Sequence, residues 1–162
     1  MSKSKISPCL WFDGQAEEAA HFYASIVPDS HVDQVHRAAS DYPSGKQGDV
    51  LTVEFTVAGM PFVGLNGGPL FKFNEAVSFQ VNCKTQDEID YYWERLGEGG
   101  DPKAQQCGWL KDRYGLSWQV VPGGMDEMLK DADSAGAQRA MNAMMQMKKV
   151  DMDALQRAYD GP

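Results

Sequence analysis

Two side chains in the sequence have the chemistry of catalytic groups, the carboxylate of Glu54 and the thiol of Cys107. A carboxylate that is removed from water among neutral amides has a raised pKa and can act as a general base. A thiol acts as a nucleophile when a nearby base favours its thiolate, and Lys103 or Lys111 could supply that base for Cys107. Both residues also have ordinary alternatives, because a lone acid on a strand often forms a salt bridge and a lone thiol often only packs.

Two short segments alternate polar and apolar side chains, which predicts two strands that each have one polar face. Residues 77–82 read Val-Ser-Phe-Gln-Val-Asn, and residues 116–121 read Leu-Ser-Trp-Gln-Val-Val. Since successive side chains of a strand point to opposite faces, we expect the apolar set of each strand to lie beneath a helix. The alternative for the polar set is a sheet face that is simply exposed to water. The expected cavity-facing side chains are Ser78, Gln80, Asn82, Ser117, Gln119 and Val121, joined by Thr52 and Glu54 from a strand over residues 50–57.

The composition describes one ordinary globular domain with an acidic character. The chain has 162 residues, and 15 Lys and Arg against 23 Asp and Glu give a net charge of −8. This excess repels nucleic acid and anionic lipid, so neither is an expected partner. No apolar run reaches the roughly 18 residues of a membrane span, and the first residues lack a signal-peptide core, so we expect a cytoplasmic protein. The odd number of cysteines, three, excludes a fully paired disulfide framework.

The elements that must position these side chains form two similar strand–helix units. A helix over Gln15–Ile26 carries an apolar stripe, and a second helix over Thr85–Leu96 begins with a Thr-x-x-Glu capping box. The helices correspond at an offset of 70 residues, as with Tyr23 and Trp93. A βαβββ unit used twice predicts an α+β fold, in which two repeats form a cupped mixed sheet with the helices outside. The predicted strands cover residues 6–12, 31–38, 50–57 and 60–66 in the first repeat, and 77–82, 105–110 and 116–121 in the second.

The remaining residues, 123–162, are predicted to form a helical tail. Between Met125 and Tyr159 this tail carries seven of the nine methionines. Methionines in such a pattern pack against the body or a second subunit more often than they form a binding groove. The predicted organisation is a single domain over residues 1–162, with repeat 1 at about 5–68 and repeat 2 at about 75–122.

Seven motifs cover nearly the whole chain. They are Phe12-Asp-Gly14, Ala16-Glu-Glu-Ala-Ala-His-Phe-Tyr23, Leu51-Thr-Val-Glu-Phe55, Leu65-Asn-Gly-Gly-Pro69, Phe71-Lys-Phe-Asn-Glu75, Ser78-Phe-Gln-Val-Asn-Cys83 and Cys107-Gly-Trp-Leu-Lys-Asp-Arg-Tyr-Gly-Leu-Ser-Trp-Gln-Val-Val-Pro122. Together they resemble the PhnB-like branch, labelled demethylubiquinone methyltransferase-like, of the vicinal oxygen chelate superfamily. This resemblance implies the glyoxalase/bleomycin resistance/dioxygenase fold and a homodimer.

The resemblance also implies where a metal would lie, since glyoxalase-type members hold a divalent ion through four His, Glu or Gln side chains that face into the cup. The corresponding positions here are near Pro8, residues 64–66, Ala76 and Gln119. Only Asn66 and Gln119 offer donors there, and amides alone are poor anchors for a transition metal. His21, His31 and His36 lie outside these positions, although His31 and His36 could each meet a carboxylate. We therefore expect no metal.

The methyltransferase label implies S-adenosylmethionine, which needs a glycine-rich turn between a strand and a helix. We expect no cofactor, because the glycine clusters do not lie in that context: Gly64, Gly67, Gly68, Gly97, Gly99 and Gly100. The leading prediction is a protein that binds a small polar or aromatic metabolite in the cup without a metal. One alternative is a methyltransferase or lyase that acts on a quinone-like substrate through Glu54 or Cys107. The other is a resistance protein that sequesters a drug. The predicted ligand-binding residues are Asn66, Ser78, Gln80, Trp109, Ser117 and Gln119.

Overall fold

The computed structural model describes residues 4–162 and divides into two compact units, the first ending at Phe73 and the second beginning at Asn74. The first unit contains β1 (Cys9–Phe12), α1 (Ala16–Ile26), β2 (His31–Arg37), β3 (Val50–Val57) and β4 (Met60–Asn66). Its sheet has the order β1-β4-β3-β2, with β1 parallel to β4 and the other pairs antiparallel. The predicted strand and helix positions of this unit are confirmed.

The second unit repeats this arrangement with one strand fewer. It contains β5 (Ser78–Cys83), α2 (Gln86–Gly97), β6 (Trp109–Lys111), β7 (Ser117–Pro122), α3 (Met125–Leu129), α4 (Ala135–Met144) and α5 (Met152–Asp160). Its sheet has the order β5-β7-β6, and β5 runs parallel to β7 as β1 does to β4. The α+β class and the strand–helix repeat are therefore confirmed, whereas the joining of both sheets into one cup stays a prediction.

The missing strand of the second unit has a local cause. Residues 105–108, predicted to belong to a strand, make only an isolated bridge between Gln106 and Trp109. The preceding segment carries Gly97, Gly99 and Gly100, and then Pro102 begins a short 3-10 turn. Cys107 and Gly108 have positive φ angles, 53° and 82°, so the backbone of this described stretch turns instead of extending as a strand.

In each unit the apolar face of the sheet packs under the helix. In the first unit Tyr23 of α1 and Phe55 of β3 stack with ring centroids 6.3 Å apart, and Phe55 stacks on Phe62 of β4 at 5.4 Å. In the second unit Trp118 and Val120 of β7 are buried, as the alternation predicted, whereas Val77, also expected beneath the helix, precedes β5 and is 61% exposed. Burial of each such side chain contributes about 1.5–3 kcal/mol, which fixes the register and leaves the alternate side chains on the opposite face.

The tail is helical, as predicted, and consists of three helices in the described chain. Ser134 accepts a hydrogen bond from the Ala137 N–H, and Asp151 accepts one from the Ala154 N–H, so each begins a new helix. The tail forms a small core of Ala140, Met144, Val150 and Leu155, against which Met125, Met128 and Met147 pack. The packing interpretation is therefore confirmed only for these methionines, which pack within the tail itself, because Met141 and Met145 of the same stripe are exposed. Within residues 4–162, no helix combines the length and the apolar character that a bilayer crossing demands.

Candidate functional site

The polar side chains of β5, β7 and β6 lie in two rows on one face of the second sheet. Gln80 pairs with Gln119, and Gln119 pairs in turn with Trp109. One step along the strands, Ser117 lies between Ser78 and Lys111. Because residues paired in register point to the same side of a sheet, all six share a face opposite α2. We call these two rows the polar face.

The amides of the polar face are connected by hydrogen bonds. The Gln80 Nε2 donates to the Gln119 Oε1 at 3.3 Å, and the Gln119 Nε2 donates to the Ser78 Oγ at 2.9 Å. Gln80 is exposed, whereas Gln119 and Ser78 are half-buried. The chain of bonds fixes the direction of each amide, so the face presents an ordered set of donors and acceptors.

Ser117 differs from its neighbours because its hydroxyl is buried without a hydrogen-bond partner among the residues that the structure describes. The residue is 1% exposed. Such a group is uncommon in native proteins, since an unpaired buried hydroxyl costs about 1–3 kcal/mol. The orphan hydroxyl therefore marks a point of the polar face whose hydrogen-bonding capacity no described residue uses.

Lys111 stands beside Ser117 and is held by an ion pair. Its Nζ lies 2.5 Å from the Glu75 Oε1, and its side chain is 26% exposed whereas that of Glu75 is 63% exposed. Hydrogen bonding to Lys111 lowers the pKa of the Glu75 carboxyl, with help from a backbone hydrogen bond and the lysine charge. Sequence reasoning assigned Lys111 only as a possible base for Cys107, so this pair was missed. Sequence gives no signal for it, because the partner lies outside any strand.

Cys107 lies beside the tail. Its backbone N–H donates to the Met147 carbonyl at 2.8 Å, and its Sγ lies 3.8 Å from the Met145 Sδ. The Gln106 Nε2 donates to the Cys107 Sγ at 3.3 Å. Its sulfur thus contacts an amide and a thioether, and Lys111, its proposed base, is engaged by Glu75. The catalytic role predicted for Cys107 gains no support from these contacts.

Asn66 was predicted to bind a ligand, but its side chain is used inside the first unit. It is 6% exposed; its Oδ1 accepts from the Ala16 N–H at 2.9 Å and its Nδ2 donates to the Val50 carbonyl at 2.9 Å. Asn66 thereby caps the start of α1 and ties it to two strands. The other five predicted ligand-binding residues share the polar face of the second unit.

Glu54 lies on the face of the first sheet opposite α1 and meets a histidine. Its Oε2 is 2.9 Å from the Nε2 of His36 on β2, which pairs with Thr52. The Glu54 side chain is 21% exposed and that of His36 is 44% exposed. His31 likewise lies 2.8 Å from Asp33. The expectation that both histidines could meet a carboxylate is confirmed, and the His36–Glu54 pair is a candidate acid–base site.

A cavity of about 620 Å³ opens at one end of the first sheet. Its wall includes Trp11, Leu65 and the loop around Pro43 and Ser44. Gly67 is required there, since a Cβ on it would lie 2.3 Å from the Trp11 ring. The cavity is mainly apolar, so it suits a hydrophobic group better than a polar metabolite.

The donors on these faces do not fit a divalent ion of the glyoxalase type. The open face of the first unit offers the His36 imidazole and the Glu54 carboxylate, and the polar face offers amides, hydroxyls and an ammonium group. Over residues 4–162, no cluster of three or more His, Cys, Asp and Glu side chains is arranged to hold a metal. Amide and hydroxyl oxygens bind transition metals weakly, and an ammonium group repels them.

The starts of α1 and α2 also do not fit S-adenosylmethionine. Asn66 occupies the Ala16 N–H at the start of α1. At α2 the Thr85 Oγ1 accepts from the Glu88 N–H, and the Glu88 Oε2 accepts from the Lys84 N–H at 2.6 Å. The capping box predicted for α2 is thus formed, and neither helix follows a glycine-rich turn that could cradle a nucleoside.

Comparison with known proteins identifies the class of protein to which this fold belongs. The PhnB protein from Bacillus cereus is 35% identical to this chain, with a TM-score of 0.63 over 74% of this chain and 100% of that one. Protein PA1353 from Pseudomonas aeruginosa is 20% identical, with a TM-score of 0.53 over 75% and 98%. The fosfomycin resistance protein FosX from Listeria monocytogenes, complexed with Mn(II) and sulfate, is 18% identical, with a TM-score of 0.50 over 80% and 98%. The last two likenesses concern the fold alone.

The fold is that of the glyoxalase/bleomycin resistance proteins of the vicinal oxygen chelate superfamily. The family model described as 3-demethylubiquinone-9 3-methyltransferase matches residues 4–121. The chain therefore belongs to this PhnB-like family, which confirms the resemblance seen in the sequence. No curated protein matches the chain.

Proposed function

We propose that the protein binds a small polar or part-aromatic metabolite on the polar face of its second unit, without a metal. The observation that carries this proposal is the combination of the ordered amide chain through Gln80 and Gln119 with the unpartnered hydroxyl of Ser117. Trp109, in register with Gln119, offers an aromatic surface for a ring at the same row. Few, well-placed polar groups beside an aromatic ring are typical of small-molecule sites.

A fragment screen followed by ¹H–¹⁵N NMR would test this proposal. We expect small polar aromatic fragments to shift the side-chain amide signals of Gln80 and Gln119 and the backbone amide of Trp109. The double variant Gln80→Leu with Gln119→Leu should lose these shifts. Gln156→Leu is the matched control, because that exposed amide lies on α5, where it bonds Asp160. Fragments that bind the double variant as well as the wild type would contradict the proposal.

The alternative of an enzyme is favoured by one observation, the His36–Glu54 pair on the open face of the first sheet. A carboxylate that accepts from an imidazole can hold it in one orientation and assist proton transfer. With a quinone-like substrate, Glu54→Gln should then lower turnover by about 10²–10⁴-fold, which is the usual contribution of general base catalysis. The same substitution should leave binding at the polar face unchanged, so the two functions are separable.

The homodimer predicted from the family resemblance is part of the proposal. Leu70 and Phe71 are 75% and 59% exposed in the single chain, and such apolar surface is suited to cover by a partner subunit. Light scattering after size-exclusion chromatography should give twice the 17.9 kDa mass of one chain. Leu70→Ser with Phe71→Ser should shift the mass towards the monomer, and a monomeric wild type would contradict this part.

A further inference from the structure

The two hydroxyls and the ammonium group in one row of the polar face are all able to donate hydrogen bonds. The Ser78 Oγ accepts from Gln119, so its own hydrogen remains available to donate. The Ser117 hydroxyl has no partner among the described residues, and the Lys111 Nζ carries three hydrogens. All three groups can donate at once and the ammonium group cannot accept, so the row suits a ligand group that is purely an acceptor, and best a negatively charged one.

One of the chain's own carboxylates, that of Glu75, already pairs with the ammonium group of this row. Lys111 is on β6 and Glu75 precedes β5, and these are the two outer strands of the sheet. The Nζ to Oε1 contact of 2.5 Å therefore joins the segment before one outer strand to the other outer strand, at the residue that pairs with Ser117. Glu75 is 63% exposed on its side chain and lies outside any regular element, so it can leave without disturbing the sheet.

We propose that Lys111, Ser117 and Ser78 form a subsite for the carboxylate of a small aromatic acid, and that Glu75 occupies Lys111 until the ligand displaces it. This inference rests on the proposed function and names the class of ligand. The ring of such an acid would lie over the Trp109–Gln119 row, which is two residues, or about 7 Å, further along the strands. A compact acid with its ring attached directly to the carboxylate fits this spacing.

Benzoate is the probe, with benzamide as its uncharged counterpart, and ¹H–¹⁵N NMR titration of the full chain is the measurement. We expect benzoate to shift the backbone amides of Ser78, Lys111 and Ser117 and to saturate, whereas benzamide should bind at least tenfold more weakly. Lys111→Met should weaken benzoate at least tenfold, while Lys103→Met, an exposed lysine on the 3-10 turn, should not.

The variant Glu75→Gln tests whether the ligand displaces Glu75 from Lys111 or whether the two residues form only a structural ion pair. Removing the competing carboxylate should tighten benzoate about two- to fivefold, which corresponds to the usual strength of an exposed ion pair. Glu98→Gln is the control, since it also removes one negative charge and one ion pair, that with Arg113, away from the polar face. Unchanged or weaker benzoate binding by Glu75→Gln would overturn the role of Glu75.

The remaining outcomes separate this inference from the proposed function. If benzamide binds the polar face as tightly as benzoate, the carboxylate subsite is overturned while the proposed function stands. If inorganic phosphate shifts the three amides and benzoate does not, the ligand class is overturned. If benzoate shifts none of the three amides even in the Glu75→Gln protein, the subsite is overturned; the Gln80 and Gln119 signals in the fragment screen then decide the proposed function on their own.

Discussion

Replacing Ser117 with alanine tests whether the hydroxyl of this residue is buried without a hydrogen-bond partner, on which the candidate site depends. Most substitutions of buried residues destabilise a protein, but the Ser117 hydroxyl is 1% exposed and has no partner among the described residues. Burying such a hydroxyl costs about 1–3 kcal/mol, and alanine removes that cost while it fills nearly the same volume. We therefore expect Ser117→Ala to raise the free energy of unfolding by about 1 kcal/mol, which is about 2–4 °C in Tm.

Urea unfolding followed by tryptophan fluorescence would measure the change, with Ser78→Ala as the control. Ser78 accepts a hydrogen bond from the Gln119 Nε2, so its removal should lower the free energy of unfolding by about 0.5–1.5 kcal/mol. The two serines, neighbours in one row of the sheet, should thus respond with opposite signs. A loss of more than about 1 kcal/mol in Ser117→Ala would show that this hydroxyl is hydrogen-bonded in the protein and would refute the reasoning.

Three further predictions follow from contacts elsewhere in the chain. Asn66→Ala should lower the free energy of unfolding, measured in urea, by about 1–3 kcal/mol, because the Ala16 N–H and the Val50 carbonyl lose their hydrogen-bond partner. A change below about 0.5 kcal/mol would contradict the capping role of Asn66. Burial raises the pKa of the Cys83 thiol to about 11, with a smaller contribution from a nearby carboxylate, so Ellman's reagent at pH 8 should leave Cys83 unmodified until urea is added. Hydrogen bonding to Lys149 lowers the pKa of Asp90, so their ion pair stabilises the fold above the pKa of the unfolded state and is lost as pH falls through the pKa of the folded state. Asp90→Asn should therefore be less stable than the wild type at pH 7 and equal to it near pH 2. Equal stability at both pH values would contradict a stabilising ion pair.

The strands were predictable where alternation is strong. Residues 50–57 and 60–66 form β3 and β4 with the predicted bounds, since a half-buried strand tolerates no register slip once one face packs under a helix. The same alternation placed Ser78, Gln80 and Gln119 on one face, where their side chains hydrogen-bond. The helix boundaries within the tail were harder to predict. Side chains such as Ser134 and Asp151 can cap a new helix instead of continuing the previous one, and the apolar residues around them do not indicate which occurs.

The contacts that define the candidate sites were less predictable because they depend on tertiary structure. The His36–Glu54 pair depends on a register shift between Val32 and Gln34, which no pattern in β2 indicates. Asn66 was read as a cup-facing donor, but its position at the end of β4 puts its amide against the first turn of α1. Sequence alternation gives the face of a side chain, whereas its partner depends on which strands are neighbours.

A crystal structure of the protein with its tightest-binding small aromatic fragment tests the central claim most directly. We expect electron density for the fragment on the polar face, with a polar atom within hydrogen-bond distance of Gln119 or Ser117 and its ring against Trp109. Density for the fragment in the cavity beside Trp11, or on the His36–Glu54 pair with the polar face empty, would contradict it.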